Sequence, residues 1–205
     1  MTYEFLRPVP VGPLEVRADV VRPGRRVQLL EGLILADGVE VVRARALQVQ
    51  TADPGTGGGG DDDVLPPPGP EQGQPAAIRV PHRPMFAFDA IEVVFVAGRW
   101  GGGPSTAWFR LRSPIVAGET PSALQRLAAA GDFGNGISAT LSWYEYLYIN
   151  PDLTLYVERE PVGEWICLES QTRIAADGVG LAESVLYDQR GRVGRATQAL
   201  LVAPR

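Results

Sequence analysis

One acidic residue stands where a turn gives way to a strand-like run, and its chemistry depends on what it faces. In "YINPDLTLYV", Asp152 follows Asn150-Pro151 and precedes alternating apolar and polar residues. A carboxylate placed beside a substrate can act as a general base and take a proton from water. An Asp after Asn-Pro more often bonds nearby backbone N–H groups in a turn. The local sequence leaves both roles open.

A second polar residue lies in an apolar strand. Gln198 occupies "ATQALLV", where its neighbours are Ala, Leu and Val. A Gln in that setting either faces solvent or is buried against a specific partner, because an unpaired buried amide is costly. We favour the buried position.

Missing residue types exclude several reaction classes. All 19 basic residues are Arg, so there is no Lys for a phosphate-binding P-loop or for a Schiff base. His82 is the only His, and no G-x-S-x-G motif marks a serine nucleophile, so we expect His82 at the surface. Cys167 is the only Cys, which excludes an internal disulfide and fits a reducing cytoplasm. We expect it to be packed rather than reactive.

The net charge and the hydropathy of the chain limit the kinds of partner that the protein can bind. A net charge of -5 is a poor match for nucleic acid, which requires a basic surface. No apolar run approaches the roughly 20 residues that span a bilayer, and the first residues lack the order of a signal peptide. We therefore predict a cytoplasmic protein with no nucleic-acid and no membrane partner.

A change in composition divides the chain into three predicted segments. Residues 51–75 are mainly Gly, Asp and Pro, and we predict a flexible linker between a partial domain at 1–50 and a larger domain at 76–205. Asp61, Asp62 and Asp63 lie in this linker; such triplets are usually only solvated, so no metal site is predicted.

Alternation and turn signals predict a strand-rich chain with one helix. The helix is expected to begin with Thr120 as its N-cap and to end at Gly131. Strands are predicted at residues 14–21, 26–36, 39–49, 153–159, 165–174, 180–187 and 193–202, and in the region 86–119.

The strand-rich parts before and after the linker are similar to each other. "LLEGLILADGVEVVRARALQV" can be aligned with "LAESVLYDQRGRVGRATQALLV". We therefore predict an internal duplication. In this alignment Glu31 pairs with Glu183, Gly38 with Gly191, Leu47 with Leu200 and Arg45 with Gln198.

Four segments resemble the TesB-like acyl-CoA thioesterases, particularly their actinobacterial members. They are "LRPVPVGPLEV", "AWFRLRSPIVAGETPSALQRLAAAGDFGNGIS", "YINPDLTLYVEREPVGEW" and "LAESVLYDQRGRVGRATQALLV". The resemblance covers nearly all of the chain outside the linker. It implies an α+β double hotdog, in which an antiparallel sheet wraps around a helix twice. The first hotdog is expected to be incomplete, because Met1 falls near the counterpart of Asp152 and no strand and helix precede it.

The resemblance also implies site residues. The family's Asp, hydroxyl residue and Gln, which hold and activate the attacking water, fall on Asp152, Thr172 and Gln198. The stretch "LESQTRI" does not align cleanly, so Ser170 or Gln171 could replace Thr172.

The same resemblance bears on two further features, Asp132 and the N-terminus of the predicted helix. Family position would let Asp132 in "AGDFGNG" face the acyl tunnel, but capping the end of the helix is its expected role. The helix N-terminus at residues 120–122 is expected to lie near the reacting carbonyl and to favour negative charge there.

The implied function is hydrolysis of an acyl-CoA thioester without a covalent enzyme intermediate and without a cofactor. A non-catalytic hotdog that binds acyl groups or serves in assembly is the alternative. Hydrolysis of an acyl-carrier-protein conjugate is less favoured, because both proteins would be acidic. The uncovered apolar side of the incomplete hotdog predicts a homo-oligomer.

Overall fold

The structure is a computed structural model that describes residues 1–53, 55, 65–76 and 86–205. The strands are β1 (Thr2–Phe5), β2 (Glu15–Arg22), β3 (Val27–Ala36), β4 (Val39–Val49), β5 (Gln74–Pro75), β6 (Ile91–Ala97), β7 (Ser105–Leu111), β8 (Tyr146–Ile149), β9 (Asp152–Val157), β10 (Ile166–Ile174), β11 (Val179–Asp188) and β12 (Gly191–Pro204). The α-helices are α1 (Ala123–Gly131) and α2 (Gly134–Ser138), and single 3-10 and π turns occupy Pro70–Gln72 and Phe86–Ala90. The predicted α+β class is confirmed.

These strands form one continuous antiparallel sheet. Their order is β2-β3-β4-β1-β9-β12-β11-β10-β7-β6-β5, and β8 pairs with β12 beyond the end of β9. The sequence pattern predicts neither β1 nor β8. Each has only 4 residues, which is too short for alternation to stand out.

The sheet repeats a four-strand pattern on either side of its centre. The orders β2-β3-β4-β1 and β9-β12-β11-β10 mirror each other, so β1 and β9 are neighbours in the middle. There Thr2 lies opposite Thr154, with their hydroxyl oxygens 3.0 Å apart. This topology agrees with the predicted duplication.

The strand register corrects part of the predicted alignment of the two copies. The β3–β4 and β11–β12 ladders each contain a bulge that leaves one residue unpaired, Val41 and Val193 respectively. Both bulges come at the same distance after a two-residue turn, so the two copies can be aligned without an insertion. In that alignment Ala46 corresponds to Gln198. The predicted match of Glu31 with Glu183 is confirmed, whereas those of Gly38 with Gly191, Leu47 with Leu200 and Arg45 with Gln198 are wrong by one residue.

The helical region begins later and ends later than predicted. Ser122, not Thr120, is the N-cap of α1: its hydroxyl accepts a hydrogen bond from the Gln125 N–H, and the Gln125 side chain accepts one from the Ser122 N–H. This reciprocal capping box satisfies two otherwise unpaired donors and so fixes the helix start. The predicted stop "DFGNG" instead leads directly into α2.

The last part of the predicted linker is docked on the sheet. The Trp108 indole N–H donates to the Pro68 carbonyl at 2.7 Å, and β5 pairs with β6. Pro68 thereby contacts a small apolar cluster of Val94, Trp108, Cys167 and Tyr187. The flexible-linker prediction therefore does not describe residues 65–75. Asp61, Asp62, Asp63 and His82 lie outside the described residues.

Cross-strand pairing assigns the residues near the centre of the sheet to two faces. What we call the outer face carries Asp152, Thr154, Thr197, Glu183 and Gln171, and the inner face carries Leu153, Leu155, Gln198, Ser184, Ser170 and Thr172. Both helices pack on the inner face of β7 and β9 to β12, where Leu127 and Ile137 join the core. On the inner face of β2, Val16 remains 73% exposed.

Candidate active site

A cavity of about 1020 Å³ lies between helix α1 and the inner face of the first copy of the sheet. Helix α1 contributes Leu124 and Ala128 to its wall, and β1, β3 and β4 contribute Phe5, Ile34 and Val42. Asp132, the residue after the helix, also lines the cavity and is accessible from it. The wall is thus mainly apolar, with a carboxylate at the end of α1.

Two amide side chains hold this carboxylate by the same oxygen. Oδ1 of Asp132 accepts a hydrogen bond from Gln198 Nε2 at 3.0 Å and another from Asn150 Nδ2 at 3.0 Å. Gln198 Nε2 also reaches the backbone carbonyl of Asp132 at 3.1 Å. Among the described residues, no donor bonds to Oδ2. One oxygen is therefore fixed by protein, and the other is left for water or substrate.

The Gln198 amide has only one satisfactory orientation. Its Oε1 accepts from the Asn135 N–H at 3.0 Å, while its Nε2 faces the oxygens of Asp132. Because a backbone N–H can only donate and a carboxylate can only accept, exchanging the amide O and N would break both contacts. Gln198 is 2% exposed, so the predicted buried position is confirmed.

Gly134 allows α2 to lie directly against Gln198. A Cβ at this position would come 2.6 Å from Ser184 Oγ and 3.2 Å from Gln198 Oε1. The first distance is shorter than any ordinary contact, so a side chain at this position would require Ser184 to turn away or α2 to shift. The adjacent Phe133 ring is held by Trp100, stacked at 6.2 Å, and by Phe109 at 5.0 Å. Residues on both sides of the Asp132–Gln198 contact are therefore tightly packed.

The pKa of Asp132 is raised above its ordinary value. Burial is the main cause, because the ionised form loses hydration inside the protein; the hydrogen bonds from Asn150 and Gln198 act in the opposite direction and lower the pKa. Asp132 nevertheless keeps accessible surface and is one of the residues that line the cavity. A carboxylate with a raised pKa is a stronger base than one in water, yet here a bound molecule can still reach it.

Asp152 lies apart from this contact network. Its position on the outer face is opposite to that of Gln198, and its Oδ1 accepts the Ala199 N–H at 2.7 Å. That N–H belongs to the part of β12 between its pairing with β9 and its pairing with β8. The Asp152 carboxylate thus accepts a hydrogen bond from a backbone N–H at the point where β8 ends and β9 begins. This is the turn-type role that Asn-Pro-Asp favours.

The three candidates for the hydroxyl position have different surroundings. Thr172 is buried on the inner face, with its Oγ1 2.7 Å from the hydroxyl of Ser138 in α2. The Ser170 hydroxyl pairs with that of Ser184 at 2.7 Å, close to Gly134 and therefore to Gln198. Gln171 lies on the outer face and accepts from Arg173.

The N-terminus of α1, which is predicted to lie near the reacting carbonyl, is at the opposite end of the helix from Asp132. Asp132 follows the C-terminal end of α1, and the N-terminal end is 9 residues away, roughly 13 Å along the axis. The first N–H groups are in addition partly used by the capping box. Residues 120–122 are therefore not adjacent to the carboxylate.

Two family models match the chain. The acyl-CoA thioesterase C-terminal domain matches residues 60–202, and the acyl-CoA thioesterase N-terminal domain matches residues 1–49. The chain belongs to the acyl-CoA thioesterase family. It is a TesB-like thioester hydrolase, as the sequence resemblance implies. No curated protein sequence matches it.

Solved structures share the fold of this thioesterase at low sequence identity. A hotdog-fold protein of unknown function from Alicyclobacillus acidocaldarius is 18% identical with a TM-score of 0.75, over 100% of this chain and 77% of its own. The acyl-CoA thioesterase II TesB2 of Mycobacterium marinum is 17% identical with a TM-score of 0.67, over 100% and 79%. A tesB protein of Mycobacterium avium is 13% identical with a TM-score of 0.66, over 99% and 77%. The hotdog architecture is thereby confirmed.

Other chemistries have little basis in the part of the thioesterase that the structure describes. No three His, Cys, Asp or Glu side chains gather there in a way that could hold a metal ion. Cys167 is fully buried, and burial raises the pKa of its thiol well above the ordinary value, which opposes formation of a reactive thiolate. None of the described helices is long and apolar enough to cross a membrane.

The carboxylate in contact with Gln198 is that of Asp132, whereas the predicted Asp152 accepts the neighbouring Ala199 N–H. Asp132 was considered, but its place after Gly131 has a sufficient local explanation as a helix end. Asn150 was treated only as part of a turn. The one signal that pointed to Asp132 was its family position facing the acyl tunnel.

Proposed function

We propose that this chain hydrolyses fatty acyl-CoA thioesters and that Asp132 is the general base. The observation that carries the proposal is an amide-held carboxylate at the end of α1 that faces an apolar cavity. An acyl chain fits such a cavity, while the thioester needs one activated water rather than a nucleophilic side chain. The buried Cys167 does not favour a thiolate, and the sequence has no G-x-S-x-G motif that would mark a serine nucleophile.

In the proposed reaction, Oδ2 of Asp132 accepts a proton from water as the water oxygen attacks the thioester carbonyl. The C–S bond then breaks and the CoA thiolate leaves, taking the proton directly or through solvent. Gln198 and Asn150 hold Oδ1, so the carboxylate does not have to reorient during proton transfer. Thr172 and Ser170, both buried on the inner face, are the candidates for the family's hydroxyl role; each is hydrogen-bonded to a second hydroxyl, that of Ser138 and of Ser184 respectively.

The acyl group is proposed to lie against the first copy of the sheet. Phe5, Ile34 and Val42 offer apolar surface there, and burial of each methylene of a substrate contributes about 0.8 kcal/mol. Turnover should therefore favour long acyl chains over acetyl.

The test is release of free CoA from a series running from acetyl-CoA to palmitoyl-CoA. We expect kcat/KM to rise with chain length until the cavity is filled, with no burst of CoA in the first turnover. A burst equal to the enzyme concentration would indicate an acyl-enzyme instead. Tight binding of palmitoyl-CoA without any CoA release would contradict the proposed function and favour the acyl-binding alternative.

Self-association is also proposed, from the exposed apolar residues of the first copy. Val16 and Val20 lie on the inner face of β2 and are 73% and 50% exposed. Burial of such residues between protomers would remove apolar surface from water. Light scattering after size exclusion would find a dimer or larger assembly, and a monomer at micromolar concentration would contradict this part of the proposal.

A further inference from the structure

The two edges of the sheet differ in how well they are protected against pairing with a further strand. At one edge β5 has only 2 residues and ends in Pro75, so it offers almost no backbone for a ladder. At the other edge lies β2, whose 8 residues are all exposed. Among the described residues β2 pairs with β3 alone. An edge strand of this kind presents a row of unpaired N–H and C=O groups that can bind another strand.

The second copy of the sheet shows which kind of strand binds at the equivalent position. In the mirrored strand order β10 corresponds to β2, and on its far side β10 pairs antiparallel with β7. That ladder contains five residue pairs, from Ile166 opposite Phe109 to Ser170 opposite Ser105. The position beside β2 therefore suits a short antiparallel strand.

The side chains of β2 favour pairing at this edge. Val16, Ala18 and Val20 lie on the inner face, and between residues 15 and 20 no charged side chain points to that face. Edge strands that resist pairing often carry an inward-pointing charge or a Pro. This part of β2 has neither, so its edge is open to a second strand.

Asp19, on the outer face of β2, lies next to a like charge. Its neighbour across the ladder is Glu31, which is itself paired with Arg45 at 2.8 Å. In the part of the chain that the structure describes, the Asp19 side chain forms neither a hydrogen bond nor an ion pair. Arg17, two residues away, is held by Glu15 at 2.7 Å. A cation brought in by a further strand would offset the repulsion between Asp19 and Glu31.

We propose that β2 pairs antiparallel with β2 of a second copy about a two-fold axis at Ala18, so that one sheet runs through both protomers. The inference rests on the proposed self-association and names its interface. Hydrogen-bonded and non-hydrogen-bonded pairs alternate along an antiparallel ladder. Since a two-fold axis makes the pairs on either side of it identical, it must pass through a residue that faces its own copy. Near the middle of β2 that residue is Arg17, Ala18 or Asp19.

Of these three positions, the one at Ala18 avoids like charges in contact. An axis at Arg17 or at Asp19 would place that charge directly opposite itself, which destabilises a strand pair. With the axis at Ala18, Arg17 lies opposite Asp19 of the second copy on the outer face, and Val16 lies opposite Val20 on the inner face. Exposed ion pairs contribute little to affinity. Their effect here is to select this register, while the Val pairs bury apolar surface.

This interface would extend the apolar wall of the cavity. Val42 and Ile34 line the cavity, and Val16 continues their row to the edge of the sheet, because Val42 pairs with Ile34 and Ile34 with Val16. Neighbouring strands lie about 4.8 Å apart, so Val20 of the second copy would be roughly 10 Å from Ile34 on the same face. The second copy thus borders the region in which the acyl group is proposed to lie.

Cysteine substitutions in β2 test the register directly. Two residues that face each other in a ladder have Cα atoms about 4.5–5.5 Å apart, within the range of a disulfide. Ala18→Cys should therefore give a covalent dimer on oxidation, seen by non-reducing electrophoresis. Val16→Cys alone should not, since its two copies would be roughly 14 Å apart along the ladder, but its mixture with Val20→Cys should. The native Cys167 is fully buried and does not compete.

Charge reversal tests the same register without a covalent bond. Arg17→Asp makes positions 17 and 19 both acidic, and Asp19→Arg makes both basic, so each variant should be at least about tenfold more dissociated than the wild type. An equimolar mixture restores both ion pairs and should form a mixed dimer in sedimentation velocity. Val179→Lys is the control, because Val179 is 61% exposed at the end of β11, and it should leave association unchanged.

The outcomes separate this interface from the self-association and from the activity. An oligomer in which Ala18→Cys does not cross-link and the charge variants associate like the wild type would overturn the β2 interface alone. A monomeric wild type would overturn the self-association as well, with the edge left open or covered by another segment of the same chain. Cross-linking of Ala18→Cys together with a mixed dimer of the charge variants would support the proposal. Absence of CoA release from palmitoyl-CoA in a wild type that cross-links in this way would overturn the hydrolysis and leave the interface supported.

Discussion

Gln198 Nε2 lies 3.0 Å from Oδ1 of Asp132, so the last strand of the sheet is bonded directly to the end of helix α1. The two residues are 66 positions apart in the chain. Helix α2, which follows Asp132 closely in the chain, packs against β10, β11 and β12 beside this contact, and the Asn135 N–H donates to Gln198 Oε1. The activity of the enzyme should therefore depend on residues that permit this close approach as well as on those that carry the chemistry.

Gly134→Ala is expected to lower activity strongly, whereas Gly136→Ala is not. The new Cβ at position 134 would meet Ser184 Oγ at 2.6 Å and Gln198 Oε1 at 3.2 Å, so that either these buried side chains or α2 would have to shift. At position 136 the nearest atom is 3.8 Å away on Trp100, an ordinary contact. Ala is favoured over Gly inside a helix by about 1 kcal/mol, so Gly136→Ala should preserve or raise stability.

The comparison uses kcat/KM with palmitoyl-CoA together with thermal melting of both variants. Equal activity of the two Gly variants would mean that the packing of α2 on Gln198 does not matter for catalysis.

Ile34→Trp is expected to shorten the preferred acyl chain. Ile34 lines the cavity from β3, and a larger side chain there would occupy space proposed for the end of the acyl group. Turnover of palmitoyl-CoA should fall at least tenfold, whereas that of short acyl-CoAs changes little; each buried methylene lost is worth about 0.8 kcal/mol. Leu47→Trp is the control, because Leu47 is exposed and does not line the cavity. Identical chain-length profiles for the two variants would place the acyl chain elsewhere.

Asp188 should make stability depend on pH in the acid range. Its fully buried carboxylate accepts from Arg159 through both guanidinium nitrogens at 2.6 Å and from the backbone of Val162 and Arg190 at 2.8 Å. Burial raises the pKa of Asp188, but these hydrogen bonds outweigh it, and the net result is a lowered pKa. The stabilisation is therefore present above the unfolded pKa of about 3.9 and is lost as the pH falls through the lower folded value.

Asp188→Ala should thus reduce the free energy of unfolding by roughly 3 kcal/mol at neutral pH. The difference from the wild type should shrink in acid, where the wild-type carboxyl group also becomes protonated. Denaturant titrations at both pH values measure this, with the exposed Asp19→Ala as a control near zero. A deficit that stays the same in acid would show that the charge of Asp188 is not its source.

The fold was largely predictable because its signals are repeated. Alternating strands, the Asp37-Gly38 turn and the internal duplication each indicate the same sheet, and the family resemblance supplies its topology. The register of the two copies was not predictable to the residue. An alignment that pairs identical residues of the two copies places Arg45 on Gln198. The bulges at Val41 and Val193 show that Ala46 corresponds to Gln198 instead.

The site was predictable only in part. Gln198 stood out because an amide in an apolar strand needs a partner, but the sequence does not name that partner. Asp132 has a complete local explanation as a helix end, and only the packing of α1 and α2 on β12 brings it to Gln198. Asp152 begins a strand at a joint between β8 and β9, where alternation does not decide which face a side chain takes.

The central claim is that Asp132, rather than Asp152, is the base. The most direct test compares kcat/KM for palmitoyl-CoA in Asp132→Asn and Asp152→Asn, with circular dichroism and melting to confirm folding. Asn at position 152 can still accept the Ala199 N–H, so that variant should stay close to wild type. Asp132→Asn should lose at least about a hundredfold, with little change in melting temperature, because the Asn Oδ1 can still accept from Gln198 and Asn150. Near-normal activity of Asp132→Asn together with a hundredfold loss in Asp152→Asn would contradict the account.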